Sequence, residues 1–258
     1  MTKSFTSLLD ELDILHEPRE ILGLVLMATT DAMARYGIRM SFGSFEELMA
    51  INASNQDSWF PLHTAFRHDV GGADADNGIV IFGRDSAGKV VTAHAVRLFD
   101  WRGTDLKHEA ESLRLFYADP TPARNAGEYC TIHADAAEQV TGRCAYIGGL
   151  WCHPHYRGRG RVRLITAVTR ATALARWGFE NLVGLMSSDN MAKDFHRRTG
   201  MINVLAPGGT LTNSPTHPGG DIHFAIAYLS AMQLVDELVK LLLDLRSEVD
   251  GVVEQRRA

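Results

Sequence analysis

A short loop of glycine and arginine stands between a strand-like segment and a helix-like segment in the second half of this chain. The residues from Cys144 to Cys152 are mostly apolar, and a long helical pattern begins at Val162. Between them the chain reads Arg-Gly-Arg-Gly-Arg, from Arg157 to Arg161. Backbone N–H groups at a helix start have no intrahelical partner, and the helix dipole adds positive charge there. The order of strand, glycine loop and helix therefore predicts a site for a phosphate, here a pyrophosphate.

The residue types of the loop support the same interpretation. Gly158 and Gly160 allow the backbone to approach an anion closely and to adopt a positive φ. The arginines around these glycines add formal positive charge. An RNA-binding arginine motif is the alternative, but one short copy between a strand and a helix fits a phosphate site better.

Two blocks of the chain resemble the GNAT (Gcn5-related) N-acetyltransferases. The family signature Arg/Gln-x-x-Gly-x-Gly/Ala matches residues 157–162, and its hydrophobic-x-Val-x-Pro block matches residues 150–154. A second block, Asn-x-x-Ala-x-x-Leu/Phe-Tyr-x-x-x-Gly-Phe, is similar to NMAKDFHRRTGM, residues 190–201. The resemblance is clearest over residues 79–206 and faint outside them.

The resemblance implies a fold and a reaction. The fold class is α/β (α+β), with a central mixed, mostly antiparallel sheet flanked by helices and helical extensions at both ends. The reaction is transfer of an acetyl group from acetyl-CoA, as co-substrate and without a metal, to an amine that attacks directly. The acceptor, a small molecule or a peptide, is not identified by the sequence.

The residues expected to hold the cofactor come from the matched blocks. They are Leu150, Trp151, Cys152, Arg157, Gly158, Arg159, Gly160, Arg161, Val162 and Asn190. In the family, the strand that ends in residues 150–152 splays from its neighbour, so its backbone can bind the pantetheine arm and an oxyanion. The side chains of Leu150 and Cys152 are expected to pack in the core.

The thiolate leaving group needs a proton, which the family takes from the Tyr of the second block. His196 stands at that position, and its unperturbed pKa of about 6.5 suits proton transfer. A surface histidine on a basic helix is the alternative. The general base stays open: Tyr146 lies where some relatives place a Glu, and Glu109, Glu111 or a water chain are other candidates.

Two departures from the family pattern bear on turnover. Val162 replaces a small Gly or Ala, and His196 replaces the Tyr. A catalytically weak or inactive CoA-binding protein, acting as a sensor or assembly module, is therefore the alternative function.

Composition limits the other classes of function. The chain has 258 residues, 45% of them hydrophobic, and a net charge of −5, which argues against nucleic acid as the main partner. The cysteines at 130, 144 and 152 form no metal or disulfide framework. His153 and His155 lack a third ligand nearby. With no secretory signal and only a short apolar run at residues 21–28, a cytoplasmic protein without membrane contact is expected.

The chain divides into three parts. Residues 1–35 are a helical extension with two helices broken at Pro18, residues 36–230 are the GNAT-like domain, and residues 231–258 are an amphipathic helix. A heptad pattern in that last helix indicates packing on its own domain, with a homodimer as the alternative.

Within the domain the patterns predict individual elements. They are a strand at 37–42, a helix beginning at Ser44, a hairpin at 79–99, a strand at 181–186, a helix at 191–199, and strands at 202–205 and 222–228 joined by a mobile loop. An insertion at about 100–142 carries helices at 107–117 and 135–140. It serves either as a lid or as a packing elaboration.

Overall fold

A computed structural model of the protein describes residues 6–158, 160–216 and 220–255, with side chains to residue 248. These ranges contain an eight-stranded sheet. Its strands are β1 (Arg39–Gly43), β2 (Gly78–Arg84), β3 (Val90–Trp101), β4 (Tyr129–Ile132), β5 (Gly142–Cys152), β6 (Asn181–Ser187), β7 (Asn203–Thr212) and β8 (Ile222–Ser230).

Helices cover both faces of this sheet. They are α1 (Arg19–Arg35), α2 (Phe45–Ala53), α3 (Leu106–Glu111), α4 (Thr121–Asn125), α5 (Arg161–Trp177), α6 (Ser188–Ala192), α7 (Phe195–Arg198) and α8 (Ala231–Gln255). The helix predicted at Ser44 is confirmed, because the Ser44 hydroxyl accepts from the N–H of Glu47 at 3.1 Å as an N-cap.

The strand order is β1-β2-β3-β5-β6-β8-β7-β4. β5 and β6 run parallel, and each other neighbouring pair in the described ranges is antiparallel. The predicted fold class, a mixed and mostly antiparallel sheet flanked by helices, is confirmed. β2 is buried along its whole length, as expected for a strand covered on both faces.

Two layers enclose the sheet, and they differ in kind. One, which we name the helical face, consists of α1, α5 and α8 packed on a core that includes Leu22, Val168 and Leu238. The other, the loop face, consists of α2, the irregular segment 54–77 and the insertion 102–141, with Phe66 and Phe116 among its buried side chains.

The N-terminal segment differs from the prediction of two helices. Only the second forms, as α1, and the first is a single 3-10 turn at Leu8–Asp10. The N–H groups of Leu15 and His16 instead donate to the carbonyl of Ala175, at 2.8 and 3.1 Å. That carbonyl lies in the last turn of α5, where it has no intrahelical partner. The segment is therefore held by a tertiary contact that local periodicity does not reveal.

The insertion also differs from its predicted helices. α3 stops at Glu111 because Leu113 adopts a left-handed φ of 62°, and Leu113, Leu115 and Phe116 then all turn into the core. The second helix is a 3-10 helix at Asp135–Gln139. The sequence prediction misses β4, which pairs with β7 from Tyr129 to Ile132. With an edge strand and these buried side chains, the insertion is part of the packed layer.

Two predictions between residues 187 and 221 are wrong. Asp194, which has a φ of 53°, divides the helix expected at 191–199 into α6 and α7. Ser187 is the N-cap of α6. The first part of the expected loop is strand, because β7 continues to Thr212 after a register shift between Leu205 and Gly209. Pairing with β4, which the sequence did not predict, supplies the partner for that extension.

The last helix, α8, packs on the helical face through Leu234, Leu238 and Leu241. Asp244 of α8 also pairs with Arg163 of α5, with 2.7 Å between Oδ2 and Nη1. Val249 and Val252 of the heptad pattern lie outside the described side chains, and the homodimer stays a prediction. Within the described ranges, none of the helices has the length and apolar character that crossing a membrane requires.

Candidate functional site

The two parallel strands at the centre of the sheet separate along their length. β5 and β6 pair from Cys144 with Asn181 as far as Ile147 with Gly184, and no further. On its other side β5 stays paired with β3 up to Cys152. Residues 148–152 of β5 and 185–187 of β6 therefore border a gap in the sheet, and their inner edges lack a strand partner.

Two glycines shape β5 where the gap opens. Gly149 has a φ of 60°, and the register with β3 shifts at this point. A Cβ on Gly148 would lie 2.3 Å from Cε2 of Phe66, so only glycine lets that ring pack on the strand. The bulge turns β5 away from β6, and it was not predicted from the sequence.

Of the residues predicted to hold the cofactor on β5, Trp151 is buried and stacks on Trp59, with ring centroids 5.2 Å apart. Leu150 and Cys152 are half-buried. The Cys152 thiol donates to the carbonyl of Tyr156 at 3.2 Å, and burial raises the pKa of that thiol. These side chains pack inside the protein, while the backbone of the same residues lies along the gap.

The glycine loop lies directly beyond the end of β5. Gly158 has a φ of 88° and Gly160 a φ of 72°, both in the left-handed region that favours glycine. A Cβ on either residue would meet no heavy atom within 4 Å, so backbone conformation rather than space demands glycine here. Gly160 is the N-cap of α5. Arg159, also predicted to bind the cofactor, lies outside the described residues.

The two arginines of the loop that the structure describes, Arg157 and Arg161, donate to backbone carbonyls around the loop and so fix its position. Arg157 donates to the carbonyls of Cys152 and Ser58, each at 3.0 Å. Arg161 donates to the carbonyl of Tyr156 at 2.6 Å, and its guanidinium lies 4.6 Å from the ring centroid of Tyr36. A guanidinium carries five N–H donors, so these contacts occupy only part of each side chain.

Val162 and Asn190 flank the gap on two different helices. Val162 is half-buried in the first turn of α5. Asn190 is exposed in α6, and its N–H donates to the hydroxyl of Ser187 at 3.4 Å. Because Ser187 is the last residue of β6, α6 begins at the border of the gap.

His196 is half-buried in α7. Its Nδ1 is buried and has no hydrogen-bond partner among the described residues. The carbonyl of His196 accepts from the N–H of Met201 at 2.8 Å, and that of Thr199 accepts from the buried guanidinium of Arg170. These contacts fix the backbone around the histidine from α5 and leave a ring nitrogen unpaired.

The side chains considered as a general base all make contacts within the protein, and Glu111 is exposed whereas Glu109 and Tyr146 are buried. Glu109 is 8% exposed and accepts from Nε and Nη2 of Arg114 at 3.0 and 2.6 Å. Glu111 accepts from the N–H of Ile132 at 3.1 Å. Tyr146 is buried against Phe66, and burial raises the pKa of its phenol, which therefore stays protonated.

One segment at the gap was missed by sequence reasoning. Residues 54–62 reach the end of β5, where the Ser58 hydroxyl accepts from Trp151 Nε1 at 3.3 Å and Trp59 stacks on the same ring. The tryptophan and phenylalanine that follow the polar run at residues 54–58 were the available signal. The described residues bring together no group of three His, Cys, Asp or Glu side chains suited to a metal ion.

Comparison with known proteins gives only distant similarities. No family model matches the chain, and no curated protein matches it. Among solved structures, it is similar to the spermidine/spermine N-acetyltransferase SpeG from Vibrio cholerae, at 9% identity and a TM-score of 0.43, covering 78% of this chain and 96% of that one.

A second similar structure is Arabidopsis thaliana NAA60 in complex with acetyl-CoA. It has 13% identity and a TM-score of 0.43, over 75% of this chain and 99% of that one. At these values neither similarity assigns a family or an activity to this chain.

Proposed function

We propose that the protein is an N-acyltransferase that moves an acetyl group from acetyl-CoA to an amine of an unidentified acceptor by direct attack. The gap between β5 and β6, with the glycine loop and the start of α5 at its open end, carries this proposal. The unpaired edge of residues 148–152 offers the amides that a pantetheine arm needs. The loop beyond it offers N–H groups and a helix N-terminus for a pyrophosphate.

Each predicted residue then has a role. Backbone groups of Leu150, Trp151 and Cys152 bind the pantetheine arm, and an N–H among them stabilises the oxyanion formed when the amine attacks the thioester. Residues 157–162 bind the pyrophosphate. Asn190 supplies a hydrogen bond on the cofactor side, because α6 starts where β6 ends.

His196 would donate the proton that the CoA thiolate takes up as it leaves. Its buried Nδ1 has no hydrogen-bond partner among the described residues, so no described contact fixes the tautomer of the ring against this role. The base that receives the proton of the attacking amine is not assigned. Glu109 and Glu111 both serve internal hydrogen bonds, so a water chain fits this role better than either carboxylate.

Binding of CoA without turnover is the second candidate, acting as a sensor or assembly module. It is favoured because Glu109 and Glu111 accept hydrogen bonds within the insertion and Tyr146 is buried. The described residues then supply no evident base at the gap.

Two measurements on the whole protein test these proposals: acetyl-CoA binding by calorimetry, and CoA release with a panel of amines. We expect Gly160→Ala to weaken acetyl-CoA binding about tenfold, since a left-handed alanine costs about 1–2 kcal/mol. Gly103→Ala is the matched control, because a Cβ there also meets no atom within 4 Å and Gly103 lies in a turn far from the loop. Equal affinity of the two variants would overturn the role of the loop.

His196→Phe tests the proton donor. We expect a lower kcat and an altered pH profile, with acetyl-CoA affinity nearly unchanged. An unchanged kcat and profile would remove His196 from the reaction. Tight acetyl-CoA binding with no CoA release on any amine would favour the second candidate, and no binding would overturn both.

A further inference from the structure

A cavity of about 320 Å³ lies in the insertion, away from the gap. Its lining residues are Glu111, Leu113, Arg124, Gly127, Glu128 and Tyr129. β4, which follows this lining, is the last strand of the sheet, and β7 and β8 stand between it and β6. The cavity is therefore separate from the proposed CoA site.

The carboxyl group of Glu128 is the main feature of this cavity. Glu128 is only 4% exposed. Its Oε2 accepts a hydrogen bond of 2.6 Å from the hydroxyl of Tyr117, whereas its Oε1 is buried without a partner among the described residues. A buried acceptor left unpaired is destabilising, and more so when it is charged. Such an atom marks a place where a donor from outside the protein would be stabilised.

A second carboxylate strengthens the negative character of the cavity. Glu111 lines it while its Oε1 accepts from the N–H of Ile132 at 3.1 Å, which fixes its position beside β4. Burial raises the pKa of the Cys130 thiol, and the nearby Glu111 and Glu128 raise it further, so both carboxylates lie close to this residue. The lining also contains one positive charge, that of Arg124, whose guanidinium donates to the carbonyl of Ser112, so the two carboxylates leave the lining negative by one charge when both are ionised.

The remaining lining is apolar or small. Leu113 is 1% exposed, and Tyr129 presents an aromatic ring beside it. Gly127 has a φ of 84°, and its carbonyl accepts from Nδ2 of Asn213 at 2.9 Å, which holds this wall to the end of β7. The cavity thus combines a negative end with an apolar wall, and it is far larger than a bare metal ion requires.

We propose that this cavity binds an organic ammonium ion. An N–H of the ammonium donates to Oε1 of Glu128, Glu111 contributes a second negative charge, and the carbon chain of the ligand contacts Leu113 and Tyr129. This proposal does not depend on the acyltransferase assignment.

Binding of n-butylammonium chloride to the whole protein tests it, with 1-butanol as the uncharged probe of the same length. We expect butylammonium to bind and butanol not to bind, as followed by calorimetry or by NMR of the probe. Glu128→Gln should weaken butylammonium binding by at least about tenfold. Glu138→Gln is the matched control, because Glu138 lies in the same insertion, pairs with Lys107 at the surface and does not line the cavity.

Absence of butylammonium binding, equal binding of butanol, or equal weakening by both substitutions would each overturn the proposal. If Glu128→Gln fails to fold, Glu111→Gln replaces it, since a Gln oxygen can still accept from the N–H of Ile132. That variant must weaken binding several-fold, and unchanged affinity would overturn the proposal as well.

Discussion

The two faces of the sheet are each covered by a layer with a buried core, but the two layers are built by different means. On the helical face, α1, α5 and α8 present stripes of apolar side chains to the strands. On the loop face, short helices and irregular segments are tied together by polar contacts. Arg97 is the clearest example, because its buried guanidinium donates to the carbonyls of Ala65 and Gly71, both at 2.8 Å.

This difference indicates which interactions stabilise each face. Regular helices satisfy their own backbone groups, so burial of their apolar stripe accounts for most of the stabilisation. Irregular segments leave carbonyls and N–H groups that must be satisfied by side chains. We therefore expect the replacement of a single buried polar side chain to lower the free energy of unfolding more on the loop face than on the helical face.

The largest effect is expected from replacing the buried arginine of the loop face. Arg97→Met removes the donors to Ala65, Gly71, Gly72 and Asn77, and should lower the free energy of unfolding by about 3 kcal/mol or more. Arg170→Met is the matched change on the helical face, where the described side-chain contact is with the carbonyl of Thr199, and about 1–2 kcal/mol is expected. Urea unfolding measures both, and equal losses would contradict the contrast between the faces.

The next largest effect is a pH dependence of the free energy of unfolding, which comes from the buried His94. Burial, together with the nearby Arg170, lowers the pKa of His94 to about 3, whereas an unfolded histidine titrates near 6.5. The unfolded chain therefore binds a proton first as the pH falls, and stability is lost between pH of about 6.5 and about 3. His94→Leu should reduce this slope by up to about 1.4 kcal/mol per pH unit.

His63, on the loop face, is the internal reference for that measurement. Burial also lowers the pKa of His63 to about 4, so its contribution has the same sign and remains in the His94→Leu variant. Unfolding free energies of the two proteins across this range give the difference directly. Identical slopes would contradict the lowered pKa, because they would mean that His94 takes up its proton as readily in the folded protein as in the unfolded chain.

The smallest effect is expected at the N-cap of α2. Ser44→Ala removes the acceptor for the N–H of Glu47 and should cost about 1 kcal/mol of unfolding free energy. Ser54→Ala, at the other end of α2, removes only an exposed bond to the carbonyl of Ala50 and should be nearly neutral. A loss at Ser54 as large as that at Ser44 would contradict the capping role.

The long helices of the helical face were predictable because their signals are local, whereas the segment before α1 was not. The period of α5, the glycine that ends it at residue 178 with a φ of 58°, and the amphipathic pattern of α8 all appear in consecutive residues. The hairpin of β2 and β3 was equally readable from its two apolar runs and the turn between them. The loop face was not, since Arg97 and Glu128 look like ordinary surface residues in a sequence.

The sequence by itself determined the glycine loop and the strand and helix on either side of it, because only glycine adopts the left-handed backbone of Gly158 and Gly160 without strain. Only the tertiary structure decided that β5 and β6 part after Ile147 and Gly184, that β4 joins β7, and that Glu128 closes a cavity. Each of these depends on partners distant along the chain. Their free energy comes from burial and hydrogen bonds made after folding, which local patterns do not contain.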